Sequence, residues 1–235
     1  MTGMMIIATQ LVFSDDVPYL TGNQSALQFA PGLGFRPLNS FKTALIAFDP
    51  SDPQSWMHYV LNIRSFLDFY QDPNLNPQDS FATCDTGFKT PDDPQLPCKF
   101  LPVQLGPCVK QNNYGYDRIQ PCVMLKINRV FGWVPDILNS TYAPHPILKC
   151  DGQNIQDIDV MGEIRYYPNI TTADGQVLGY FNSLYFPYLV QQSYRSPLVG
   201  VQFVSPKRHV ILMIKCELLN VRNPGGIAKF ELLVD

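Results

Sequence analysis

The chain has 235 residues, enough for one large domain or two small ones, and Lys plus Arg number 17 against 20 Asp plus Glu, a net charge of −3. That balance excludes a nucleic-acid binder working through a basic surface. With 46% hydrophobic, 12% aromatic and only 16% charged residues the chain is not disordered, and its 21 prolines argue against an all-helical fold.

The first residues, MTGMMIIATQLVF, carry no charge and stop at Ser14-Asp15-Asp16. Thirteen residues are too few to span a bilayer, which needs about 20. The stretch also lacks the basic start of a signal peptide. Residues 1–13 therefore read as the outer end of a membrane helix, since the abrupt acidic pair suits a step from lipid to water. Residues 14–50 are rich in Pro, Gly and Asn without a sustained period, and read as an extended connector.

Residues 51–235 read as the folded domain. Its one helix begins where Asp52 can cap and Pro53 takes the first helical position. Trp56, Tyr59, Val60, Ile63, Phe66, Leu67 and Tyr70 recur at three- and four-residue steps, and Pro73 ends the run. This stripe is expected to pack on a sheet. Residues 71–98 read as a long loop. Strands are expected over 99–105, 122–130, 161–167, 198–204, 209–219 and 227–234. The last two alternate clearly, with Asn223-Pro224-Gly225-Gly226 between them as a hairpin turn. An antiparallel sheet or sandwich with one amphipathic helix follows.

The cysteines are Cys84, Cys98, Cys108, Cys122, Cys150 and Cys216, with no CxxC pair and hence no zinc spacing. Six cysteines allow fifteen disulfide connectivities, sequential pairing being one. Asn23, Asn139 and Asn169 each open an N-x-[ST] sequon. Three sequons with six cysteines point to an oxidising, extracytoplasmic compartment. Asn139 and Asn169, in polar stretches beside prolines, are the expected glycan sites; Asn23 lies closer to the apolar run.

Catalytic patterns are missing: there is no GxSxG, phosphate-binding loop, HExxH or GxGxxG. Asp157 and Asp159 read as solvated loop carboxylates, and His209 as a strand-edge residue. Neither a catalytic residue nor a metal or cofactor site is expected.

Three blocks carry a resemblance. Tyr114-Gly115-Tyr116, Pro121-Cys122 and Lys126-Ile127-Asn128-Arg129-Val130-Phe131-Gly132-Trp133 closely resemble the beta subunits of the Na+/K+-ATPase and the related H+/K+ pump. The run from Pro31 through Phe35, Arg36 and Pro37 is similar to that family's membrane-proximal signature. Tyr185-Phe186-Pro187-Tyr188-Leu189 resembles its aromatic block, with Phe186 and Leu189 where the family usually has Tyr. The resemblance implies a type II plasma-membrane glycoprotein, N-terminally truncated here, with an immunoglobulin-like β-sandwich ectodomain and cysteines bridged in sequence order. It also implies a non-catalytic subunit that folds and delivers the catalytic alpha subunit of a P-type ATPase and modulates potassium transport. A cell-surface adhesion glycoprotein, with homotypic cell–cell contact as its partner class, is the alternative. The expected alpha-subunit contacts are Tyr185, Phe186, Pro187, Tyr188 and Leu189, with Phe35, Arg36 and Pro37. If residues 185–189 form a strand, Tyr185, Pro187 and Leu189 share one face, and Phe186 with Tyr188 the other.

Overall fold

The computed structural model describes residues 30–38, 43–72, 81–82, 84, 96–138, 144–222 and 225–235, together with the backbone of 13–14, 17–18, 85 and 88–89. The apolar run before Phe13, the sequons at Asn23 and Asn139, and Asn223-Pro224 lie outside these. Among the described residues no helix is long and apolar enough to cross a membrane.

In chain order the main elements are β1 (Leu33–Arg36), β2 (Leu45–Phe48), α1 (Pro53–Gln71) and β3 (Cys122–Ile127). Then follow β4 (Ile147–Gly152), the short helix α2 (Ile155–Val160), β5 (Glu163–Tyr167), β6 (Asn169–Thr171) and β7 (Val177–Tyr180). Three seven-residue strands close the chain: β8 (Leu198–Val204), β9 (Leu212–Leu218) and β10 (Ala228–Val234). One sheet has four strands in the order β1-β3-β8-β5, the other six in the order β6-β7-β4-β9-β10-β2. All pairs between these strands are antiparallel except β10 with β2, which run parallel from Glu231–Leu45 to Val234–Phe48.

The two sheets pack face to face as a β-sandwich. From the four-stranded sheet Phe35 and Phe203 meet Phe230 of β10, at ring distances of 5.1 and 6.0 Å. Val123, Leu125, Ile127, Val199 and Val201 fill the space between, all buried. The opposite face of the four-stranded sheet is covered too. There α1 packs with a 3₁₀ segment, Lys110–Arg118, whose Tyr116 is fully buried between Phe48 and Tyr59. A strand covered on both faces should read as a nearly unbroken apolar run, as the sequence of β8, LVGVQFV, does.

The expected helix is present. Asp52 accepts the backbone N–H of Gln54 at 3.0 Å, Pro53 stands in the first turn, and Trp56, Tyr59, Val60, Ile63, Leu67 and Tyr70 are buried. Other expectations need correction. Residues 99–105 form no strand; Pro102 opens a 3₁₀ turn over Pro102–Leu105, whose geometry suits its fixed φ. The connector read over 14–50 supplies an edge strand to each sheet in its second half, β1 and β2. Asp157 is not solvated: it is 6% exposed, closes the capping box of α2 and accepts the N–H of Met213 at 3.2 Å. Asp159 is exposed.

Three disulfides staple the domain. Cys84–Cys98 closes the loop after α1, and Cys108–Cys122 ties the 3₁₀ layer to β3. Cys150–Cys216 joins directly opposed residues of neighbouring strands, β4 and β9, within one sheet rather than between sheets.

Candidate partner-binding surface

β3 ends at Ile127, and residues 128–133 leave the sheet in a turn closed by the N–H of Trp133 on the carbonyl of Val130, at 3.2 Å. Gly132 has φ +67°, a conformation that favours glycine. Its N–H donates to the carbonyl of Tyr188 at 2.9 Å, and Phe131 bridges Tyr188 in parallel. The Trp133 and Phe186 rings meet edge to face with centroids 5.3 Å apart. Two of the three sequence blocks are thereby one piece of structure.

Arg129 fastens that piece. Its guanidinium lies 5.5 Å from the ring centres of both Tyr188 and Tyr194, and Nη2 donates to the carbonyl of Tyr194 at 3.2 Å. A planar cation against two ring faces adds electrostatic attraction to the packing. Tyr194 is almost fully buried, and burial pushes its phenol up to about 12. Arg195 lies 4.0 Å over the ring of Phe69, and burial, with Arg129 nearby, lowers its pKa.

The singled-out residues divide by environment. Tyr185 is buried, its ring edge-on to Phe100 and its hydroxyl donating to the carbonyl of Lys99 at 3.0 Å. Phe186, Pro187 and Tyr188 are half-buried, while Leu189 is 40% and Val190 56% exposed. The alternating strand faces expected here do not occur. Ser183–Tyr185 is a 3₁₀ turn, and Val190 has φ +63°, so no period of two can run through the block. Phe35 points inward to Phe230, Pro37 is buried, and Arg36 lies on the other face, its guanidinium 5.6 Å from the ring of Phe66. Asn169 is exposed at the start of β6, an edge strand rather than a loop, with its amide donating to the carbonyl of Tyr166 at 3.0 Å.

Arg129, Trp133, Tyr194 and Val190 were not expected as parts of this surface. Residues 129 and 133 were legible only as members of a resembling run. No local period links Arg129 to Tyr194, 65 positions away. No cluster of three or more His, Cys, Asp or Glu suited to a metal ion occurs among the described residues.

Fold and surface together define a disulfide-stapled β-sandwich that carries a partly exposed aromatic run fastened by an arginine. A family model described as the sodium/potassium ATPase beta chain matches residues 1–223. The chain is 31% identical over 250 residues to the sodium/potassium-transporting ATPase subunit beta-1 of Drosophila melanogaster, covering 94% of this chain and 76% of that relative. It is 28% identical over 252 residues to subunit beta-2 of the same organism, covering 93% and 75%. Against the potassium-transporting ATPase subunit beta of Canis lupus familiaris it is 28% identical over 229 residues, covering 93% and 74%. The chain belongs to the sodium/potassium ATPase beta chain family, whose members are accessory, non-catalytic subunits.

Proposed function

We propose that this chain binds the catalytic alpha subunit of a P-type ATPase at its extracellular face, assists that subunit's folding and delivery to the plasma membrane, and modulates its potassium transport. The observation that carries this reading is the joining of residues 128–133 to the half-exposed run 186–190. Aromatic side chains bury large rigid areas at small entropic cost, and Tyr, Trp and Arg are enriched where interfaces concentrate their binding energy. Leu189 and Val190 extend the run into solvent as apolar contacts. The domain is read as extracellular, with residues 1–13 at the membrane and glycan on Asn139 and Asn169.

Co-expression with an alpha subunit in a secretory cell, followed by co-precipitation, tests the reading. The Phe186→Ala/Tyr188→Ala variant is expected to leave the endoplasmic reticulum yet retain less alpha. Tyr185→Ala, which opens the core, is expected to fail in folding instead. Wild-type retention of alpha by the Phe186/Tyr188 variant, or no retention by the wild type, defeats the reading. A glycosidase mobility shift that shrinks in Asn169→Gln supports the extracellular assignment; an unshifted wild-type chain contradicts it.

A further inference from the structure

Arg36 and Lys126 both approach one ring. The Arg36 guanidinium lies 5.6 Å and the Lys126 ammonium 6.0 Å from the centre of Phe66, on the helix-covered side of the four-stranded sheet. Register puts them diagonally across from each other on that face, since Gly34 opposes Lys126 and Arg36 opposes Met124. Arg129 follows three residues after Lys126 and carries the cluster on to Tyr188. Lys126 is half-buried; burial lowers its pKa, and the charges of Arg36 and Arg129 lower it further.

None of the three cations takes part in any of the seven ion pairs found among the described residues. Among the described residues each guanidinium makes one hydrogen bond, that of Arg36 to the carbonyl of Phe35 and that of Arg129 to the carbonyl of Tyr194. In a chain of net charge −3 this is a local concentration of the minority sign. Neighbouring like charges destabilise one another, and a carboxylate brought between them would relieve that repulsion and gain charge-assisted hydrogen bonds.

We propose that Arg36, Lys126 and Arg129 form a receptor for a carboxylate-bearing segment of the partner subunit's extracellular surface. The inference rests on the alpha-binding reading above and adds the chemistry of the contact. Continuity favours a protein occupant over a lipid headgroup: Arg129 stacks on Tyr188, so the basic patch and the aromatic run 186–190 form one surface. An apolar-aromatic centre with a charged rim is the usual anatomy of a protein interface. The rim charges set the partner's orientation and the salt dependence of assembly.

The test uses the full chain co-expressed with alpha and co-precipitated at about 0.1 M and about 1 M salt, between which the screening length falls from about 10 Å to about 3 Å. The Arg36→Glu/Lys126→Glu variant is expected to retain about tenfold less alpha than wild type at the lower salt, with the gap closing at the higher. Arg36→Lys/Lys126→Arg is expected to retain wild-type amounts. If the Glu pair fails to leave the endoplasmic reticulum, Arg36→Gln/Lys126→Met keeps the stems over Phe66 and carries the same comparison. Equal retention by these charge variants overturns the proposal; if Phe186→Ala/Tyr188→Ala still loses alpha, the alpha-binding reading survives it. Failure of the wild type to retain alpha defeats both. Flotation of the wild type with phosphatidylserine vesicles, abolished by the charge variants while alpha retention stays unchanged, assigns the patch to a membrane and also overturns the proposal.

Discussion

The hydroxyl of Tyr166 does the work of a missing strand. β7 pairs with β4 only at Leu148 and Ile147, so the backbone of Cys150 has no strand neighbour on that side. Tyr166, reaching across from β5 in the other sheet, accepts the Cys150 N–H at 2.9 Å and donates to its carbonyl at 3.3 Å. Both backbone groups are buried, where an unmet donor or acceptor is costly. Tyr166→Phe keeps the ring and removes both bonds. It is expected to destabilise the domain by about 1–3 kcal/mol, read as a lower urea midpoint at unchanged slope. An unchanged midpoint would mean that water replaces the hydroxyl. Gly179 shows why the approach is so close: a Cβ there would meet both Tyr166 and Val199 at 2.9 Å.

Helix α1 is the element whose contributions separate most cleanly. Asp52→Ala removes the cap on Gln54 and is expected to cost about 1 kcal/mol. Ile63→Ala, at a site with no exposed surface, is expected to cost about 2–5 kcal/mol. Thermal unfolding should rank them in that order; the reverse order would mean that the stripe packs loosely. This helix was legible in the sequence because cap, proline and a sustained 3.6-residue period agree. The last two strands were legible because Lys215 and Glu217, then Lys229 and Glu231, alternate with buried neighbours. β1, β2, β6 and β7 were not, since three or four residues hold too little of a period to stand out among prolines and glycines. β4 alternates over Leu148, Lys149, Cys150 and Asp151, but Gly152 cuts the pattern short. Of the candidate binding surface, the sequence marked the segments but not their sides. Which of residues 185–189 face out depends on a 3₁₀ turn and a left-handed Val190, neither of which alternation reveals.

Across the whole molecule, buried phenols tie the fold to pH. Burial raises the pKa values of Tyr166, Tyr185 and Tyr194 to about 12. Burial raises Tyr70 and Tyr116 as well. In the unfolded chain these groups titrate near 10, so the folded state binds the more protons above that value. Their contribution is fully present below about pH 10 and is lost as pH rises toward 12. Stability should therefore fall between those limits, with the phenolate absorbance of the buried group appearing only as the fold is lost. Smooth ionisation without unfolding would contradict this. The parallel pairing of β2 with β10 has a mechanical consequence. A pull between the start of β2 and the end of β10 drags the two strands lengthwise past each other. The load then falls on all their rungs together, and the strands cannot be peeled apart one rung at a time. A domain loaded between those two ends behaves as a clasp, resisting by shear rather than by peeling.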